Sequence, residues 1–212
     1  MLYEPTQIAD KIGQGDIFMN IPYIELGFEM SILGEDGKTI SVNWQEIIES
    51  GQDVAGVLGV TSVPAIVITQ KCDAQEKEYI TLCEIVKLSE LSAFRTLEEK
   101  TLNNIAETLV ENNRKMPGIF YLPPNDAIGF AQRMAVNFLN TIRLKRKDLE
   151  QFKFNRKGRL NKMANEHFRE KLSHFFHRYA WNEWYILNKQ EIGAHKIYSR
   201  LDPTELYDYQ RG

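Results

Sequence analysis

Two hydrophobic periodicities divide the chain. Up to about residue 93 the chain reads as short strands, in which apolar residues alternate or run together between turn signals. GDIFMNIPYIEL (residues 15–26) follows a glycine and is rich in β-branched and aromatic residues. FEMSILGEDGKTISVNW (residues 28–44) places alternating apolar residues on both sides of Gly34-Glu35-Asp36-Gly37. The Asp-Gly pair supplies the positive φ that a hairpin turn needs. WQEIIESG predicts a short helical turn stopped by Gly51. VAGVLGVTSV is apolar but broken by glycines, and no element is assigned to it. PAIVIT (64–69) and YITLCEIVKL (79–88) predict two strands joined by a polar loop, KCDAQEKE. Closed as an antiparallel hairpin around Gln75-Glu76, they would set Cys83 opposite Ile68. Short strands separated by turn signals imply a small barrel or sandwich.

The second half has a helical period. Thr96 and Glu99 have capping-box spacing. Leu97, Leu102, Ile105, Ala106 and Leu109 then share one helix face, and Asn112-Asn113 followed by Met116-Pro117-Gly118 ends it. GIFYLPP and RMAVNFLNTIRL predict two strands. A last helix is expected from about Arg159 to Tyr185, with Ala164, Phe168, Leu172, Phe175, Phe176 and Tyr179 in one core-facing arc. Residues 193–212 read as an irregular tail. The expected fold is α+β: a barrel-like β unit over 1–93, with a helical part over 94–212 that holds a few short strands and packs on it as one compact unit.

Composition fits an ordinary globular protein: 212 residues, 43% hydrophobic and 26% charged. The formal net charge is −3, but Thr141 to Ala180 holds 12 Lys/Arg against 4 Asp/Glu, a local +8. Its densest part is Arg143, Lys145, Arg146, Lys147, Lys153, Arg156, Lys157 and Arg159, interleaved with Phe152 and Phe154. Cations among stackable rings mark a candidate nucleic-acid interface. The same asymmetry fits a basic element docked on an acidic body. No apolar run approaches the roughly 20 residues that span a bilayer. The opening residues lack the basic and apolar regions of a secretory signal, so the expected setting is the cytoplasm, with no membrane partner.

Candidate chemistry is sparse. Cys72 and Asp73 end an apolar run, where side chains reach clefts. No histidine neighbours the thiol in sequence, so a nucleophile there lacks its base. Asp73 capping the turn is the alternative reading. On the last helix Glu170 and His174 are spaced i, i+4, and His174 and His177 i, i+3, so a metal could bridge them. The bland alternative is a solvated polar face. Phosphate-binding, dinucleotide-binding, hydrolase-elbow and Cys-x-x-Cys motifs are all missing, and no cofactor is implied.

The stretch VPAIVITQKCD resembles the VVISQxCD strand end of small uncharacterised bacterial and phage-borne proteins. RLNKMANEHFREKLSHFFHRY is similar to the helix that closes such chains. Gly15-Asp16-Ile17 and the strand Pro64–Thr69 resemble, more remotely, the MazF/PemK-like toxins. That likeness implies an SH3-like barrel and RNA cleavage. The family's arginine before the proline is Val63 here, so the barrel carries over more readily than the nuclease. The function expected is a non-catalytic binding module of a bacterial or phage accessory system of the defence or toxin–antitoxin kind, with nucleic acid or a partner protein as ligand. One alternative is a nuclease using Asp16, Cys72 and Asp73. The other is a protein-assembly factor acting through the Phe stripe and the aromatic end, Trp181, Trp184 and Tyr185.

Overall fold

In the computed structural model, residues 2–34, 36–51, 53–111 and 115–177 are described. Their elements in chain order begin with β1 (Tyr3–Glu4), β2 (Asp16–Tyr23), β3 (Glu29–Leu33) and β4 (Thr39–Asn43). Next come α1 (Trp44–Ser50), β5 (Gly56–Val57), β6 (Thr61–Val67), α2 (Lys71–Glu76) and β7 (Tyr79–Lys87). Then follow α3 (Glu99–Glu111), β8 (Ile119–Leu122), β9 (Met134–Lys145), α4 (Arg146–Gln151), β10 (Arg156–Leu160) and α5 (Lys162–His177). Seven strands form one antiparallel sheet in the order β1-β10-β2-β6-β7-β9-β8, and β4-β3-β5 form a second, small sheet.

This corrects the expected fold. The large sheet is open, with β1 and β8 at its edges, and is not a barrel. The second half supplies β8, β9 and β10 to it, so it is not a helical part set beside an N-terminal β unit. The excursion from β3 to β5 leaves the large sheet and, among the described residues, pairs only within itself. Alternation showed where strands are, but pairing partners depend on contacts far apart in sequence.

Each face of the large sheet carries its own core. Ile17, Ile66, Cys83, Ile85, Phe120, Val136 and Phe138 pack on one side under Ala164, Phe168, Leu172 and Phe175 of α5. Phe18, Ile21, Ala65, Val67, Ile80, Leu82 and Ile142 pack on the other against Ile12, Ala74 and Leu149. A third cluster buries Leu102, Ala106 and Leu109 of α3 against Leu88, Phe94 and Ala135, with the predicted Leu97 and Ile105 partly buried beside them.

Local details show why the elements stop where they do. Asn43 caps α1 by accepting from the Gln45 N–H, and Gly51 ends it at φ 63°, a left-handed conformation that glycine adopts without a Cβ penalty. Pro64 sits inside β6, a strand with neighbours on both sides. Opposite it, the β2 register slips between Phe18 and Ile21, and Asn20 takes φ 59°. The bulge falls where proline has no N–H to give.

Four local expectations change. Residues 71–76 form α2 rather than a loop. The β6–β7 register sets Cys83 opposite Ile66, two residues from the expected partner, which keeps every side chain on its expected face. Helix α3 starts at Glu99, so Glu99 opens the helix and is not the third position after a cap at Thr96. The last helix starts at Lys162 because Arg156–Leu160 is a strand. Its predicted continuation to Tyr185, with Tyr179, Trp181, Trp184 and the tail, lies outside the described residues. Within its arc Phe176 departs, at 61% exposed.

Candidate functional site

The sequence-predicted site residues separate into four places. Asp16 opens β2 and is fully buried. Arg156 Nη1 donates to its Oδ2 at 2.8 Å, and Gly13 N–H donates to the same oxygen at 3.1 Å. Arg159 Nε lies 2.8 Å from Oδ1 as an ion pair whose N–H points off line. Two arginines three residues apart fall on opposite sides of a regular strand. Here β10 slips register between Arg156 and Gly158, so Arg156 faces Phe18 and Arg159 faces Asp16. That bulge gathers both guanidiniums around one carboxylate. Burial pushes the Asp16 carboxyl above its ordinary range, while Arg159, Arg156 and Gly13 N–H pull the other way.

Arg156 also donates to the carbonyls of Gln7, Asp10 and Lys11, and Arg159 to that of Lys11. The cluster therefore clamps the 5–15 segment to the sheet. The two guanidiniums around this carboxylate disfavour a metal ion beside it, and its burial gives a substrate no access.

Cys72 and Asp73 lie on α2, not at a strand end. Cys72 is exposed and Cys83 buried, both as free thiols. Burial pushes the Cys83 thiol up to about 12, which keeps it unreactive. No side chain caps α2, and the Asp73 carbonyl accepts from the Lys77 N–H. The expected side-chain cap is thus replaced by a backbone bond. The Cys72–Asp73 helix is near the Asp16 cluster, because a Cβ at Gly13 would come within 3.6 Å of the Lys71 side chain.

The eight candidate cations do not form one surface. Arg156 and Arg159 turn inward to Asp16. Lys153 pairs with Glu150, and Arg146 donates to the Lys77 carbonyl. Arg143 stacks over the Tyr79 ring at 4.3 Å, with Lys145 opposite Tyr79 on the same face. Lys147 and Lys157 are exposed. Four strand spacings separate β10 from β9, on the order of 19 Å. On α5, His174 Nε2 is 3.7 Å from Glu170 Oε1, and the His177 side chain lies outside the described residues. Among the described residues no three metal-binding side chains are gathered together.

The feature that sequence reasoning missed is the uncovered apolar row of the small sheet. Met30 faces Val42 and Ile32 faces Ile40 across β3 and β4, while Glu29, Ser31, Leu33, Thr39, Ser41 and Asn43 take the other face. Leu26 and Phe28 lie just before β3, outside the strand. Leu26, Gly27, Phe28, Met30 and Trp44 line a hollow of about 410 Å³. Phe28 is 75% exposed and Leu26 71%, although each is large enough to belong in a core. Ile40, Ile48 and Leu58 are exposed nearby in sequence, while Leu33 and Val57 are exposed on the opposite face. Soluble monomers rarely leave contiguous apolar area of this kind uncovered without a use for it. The signal was present as alternation; what alternation cannot show is whether anything covers the face.

Two more hollows flank Arg133, between α3 and the edge of the large sheet. Its guanidinium is already held by Glu99. Among the described residues no helix is long and apolar enough to cross a membrane. Compared with known proteins, the chain matches no family model, and no curated protein matches it.

Proposed function

We propose that the protein is a non-catalytic interaction module that binds a partner protein through the apolar face of its small sheet. The observation that carries this reading is the uncovered row Leu26, Phe28 and Met30 with Trp44, around a hollow of about 410 Å³. An enzyme reading finds less support, because Asp16 is spent on two arginines. A nucleic-acid reading also finds less, because the cations are split between inward ion pairs and separate strands. The bacterial or phage accessory setting that the Cys-Asp stretch implies belongs to the same proposal.

The test has two arms. A photo-crosslinking residue is placed at Phe28 or, as a control, at Leu139, which is just as exposed on the large sheet. A discrete protein adduct at position 28 and none at 139 supports the reading. Equal labelling at both sinks it. In the second arm, labelled single-stranded RNA and DNA are incubated with the protein across a salt series, with and without divalent metal. Cleavage that disappears in Asp73→Ala overturns the non-catalytic reading. A salt-steep shift without cleavage moves the partner to nucleic acid.

A further inference from the structure

Resting on that reading, we infer that the partner segment is extended and basic, with apolar side chains at alternate positions and Lys or Arg between them. The small sheet carries a strong charge of its own. Residues 24–60 hold seven acidic side chains (Glu25, Glu29, Glu35, Asp36, Glu46, Glu49 and Asp53) against Lys38 alone, a net −6. The large acidic excess sits in the same excursion as the exposed apolar row. It disfavours a second copy docking face to face, since two −6 modules repel each other. It attracts a cationic chain.

Geometry sets the form of that chain. Among the described residues β4 is an edge of the small sheet, with β3 its one neighbour. It offers its outer backbone N–H and C=O groups to an added strand. A strand added there presents alternate side chains to each face. One set falls on the side of Ile40 and Val42, and the other on the side of Thr39, Ser41 and Asn43, the polar residues of β4. Apolar side chains extend the row that leads to the Phe28–Trp44 hollow. The alternate cations lie on the side of Glu29, whose Oε1 accepts from Asn43 Nδ2 at 2.7 Å. Glu46 and Glu49 are exposed on α1 immediately after β4.

The probes are three fluorescein-labelled ten-residue peptides: alternating Leu-Lys, alternating Leu-Glu and alternating Ser-Lys. Anisotropy is read against the full chain at several salt concentrations. The Leu-Lys peptide should bind, and more weakly as salt rises. The Leu-Glu and Ser-Lys peptides should bind at least tenfold more weakly. Phe28→Ser should cost the Leu-Lys peptide about tenfold or more, with Leu26→Ser as an independent check should the first variant misfold. Glu46→Lys with Glu49→Lys should weaken binding and flatten its salt dependence.

Equal binding of Leu-Glu and Leu-Lys overturns the charge argument, and equal binding of Ser-Lys overturns the apolar one. If position 28 crosslinks to a protein but no Leu-Lys binding is seen, the interface stands and the basic partner falls. If the chain alone sediments as a dimer that Phe28→Ser dissolves, the occupant is a second copy and the inference is wrong.

Discussion

Asp16 shows how one side chain decides between chemistry and structure. Its position at the start of a strand suits a catalytic acid equally well. Its partners, Arg156, Arg159 and the Gly13 N–H, make it the centre of a buried charge network. Removing one partner of such a network leaves a charge buried without compensation, at a cost of roughly 3–5 kcal/mol. Asp16→Asn should therefore lower the unfolding free energy by about that much, measured by urea denaturation. An active-site acid would show the opposite pattern, with little loss of stability or a gain.

Lys171 is a charged side chain that the fold covers completely. Its Nζ donates to the Lys115 carbonyl at 2.9 Å, and burial lowers its pKa from 10.5 to about 8. The folded value lies below the unfolded one, so below about pH 8 both states are protonated and the burial penalty acts in full. Between about 8 and 10.5 the unfolded chain holds more protons, and stability rises with pH. Lys171→Met should thus be more stable than wild type near neutrality. The gap should narrow as pH rises through that window, in paired thermal or urea unfolding series. A constant gap would mean that Lys171 does not titrate differently in the two states.

β10 is the element that the sequence concealed. Its residues, Arg-Lys-Gly-Arg-Leu, show no apolar alternation, because their inward positions are filled by arginines that find Asp16 and by a glycine. A Cβ at Gly158 would lie 2.6 Å from Ile128 Cδ1 and 2.9 Å from the Glu4 carbonyl. The isoleucine can turn aside, but the β1 backbone cannot. Gly158→Ala should destabilise the protein by about 1–3 kcal/mol, as overpacking does, in the same denaturation assay. Most strands, α1, and the buried faces of α3 and α5 were legible because each carries its own periodicity and stop signals. β10, the open sheet and the Asp16 cluster were not, because they rest on a bulge and on pairings across the whole chain length. The Cys-Asp stretch falls between these cases. Its strand and facing were readable, but the start of α2 was not, since Lys-Cys-Asp-Ala-Gln-Glu carries no side-chain cap.

At the scale of the molecule, apolar residues do two different jobs. Phe168 is fully buried, with its ring centroid 5.0 Å from that of Phe120 and 5.7 Å from that of Phe138. Phe28 keeps 75% of its surface in water. Hydrophobic burial stabilises in proportion to the area removed from water, so the two positions should respond oppositely to truncation. Phe168→Ala should cost about 3–5 kcal/mol, as expected for a core phenylalanine. Phe28→Ser should stay within about 1 kcal/mol of wild type while losing binding of the Leu-Lys peptide. Both variants go through one urea titration and one anisotropy assay. If Phe28→Ser unfolds as readily as Phe168→Ala, the small sheet hides a core of its own and its apolar row is not a docking face. If stability holds and binding falls, the large sheet is a scaffold, and the charged apolar excursion between β2 and β6 is the part that meets the partner.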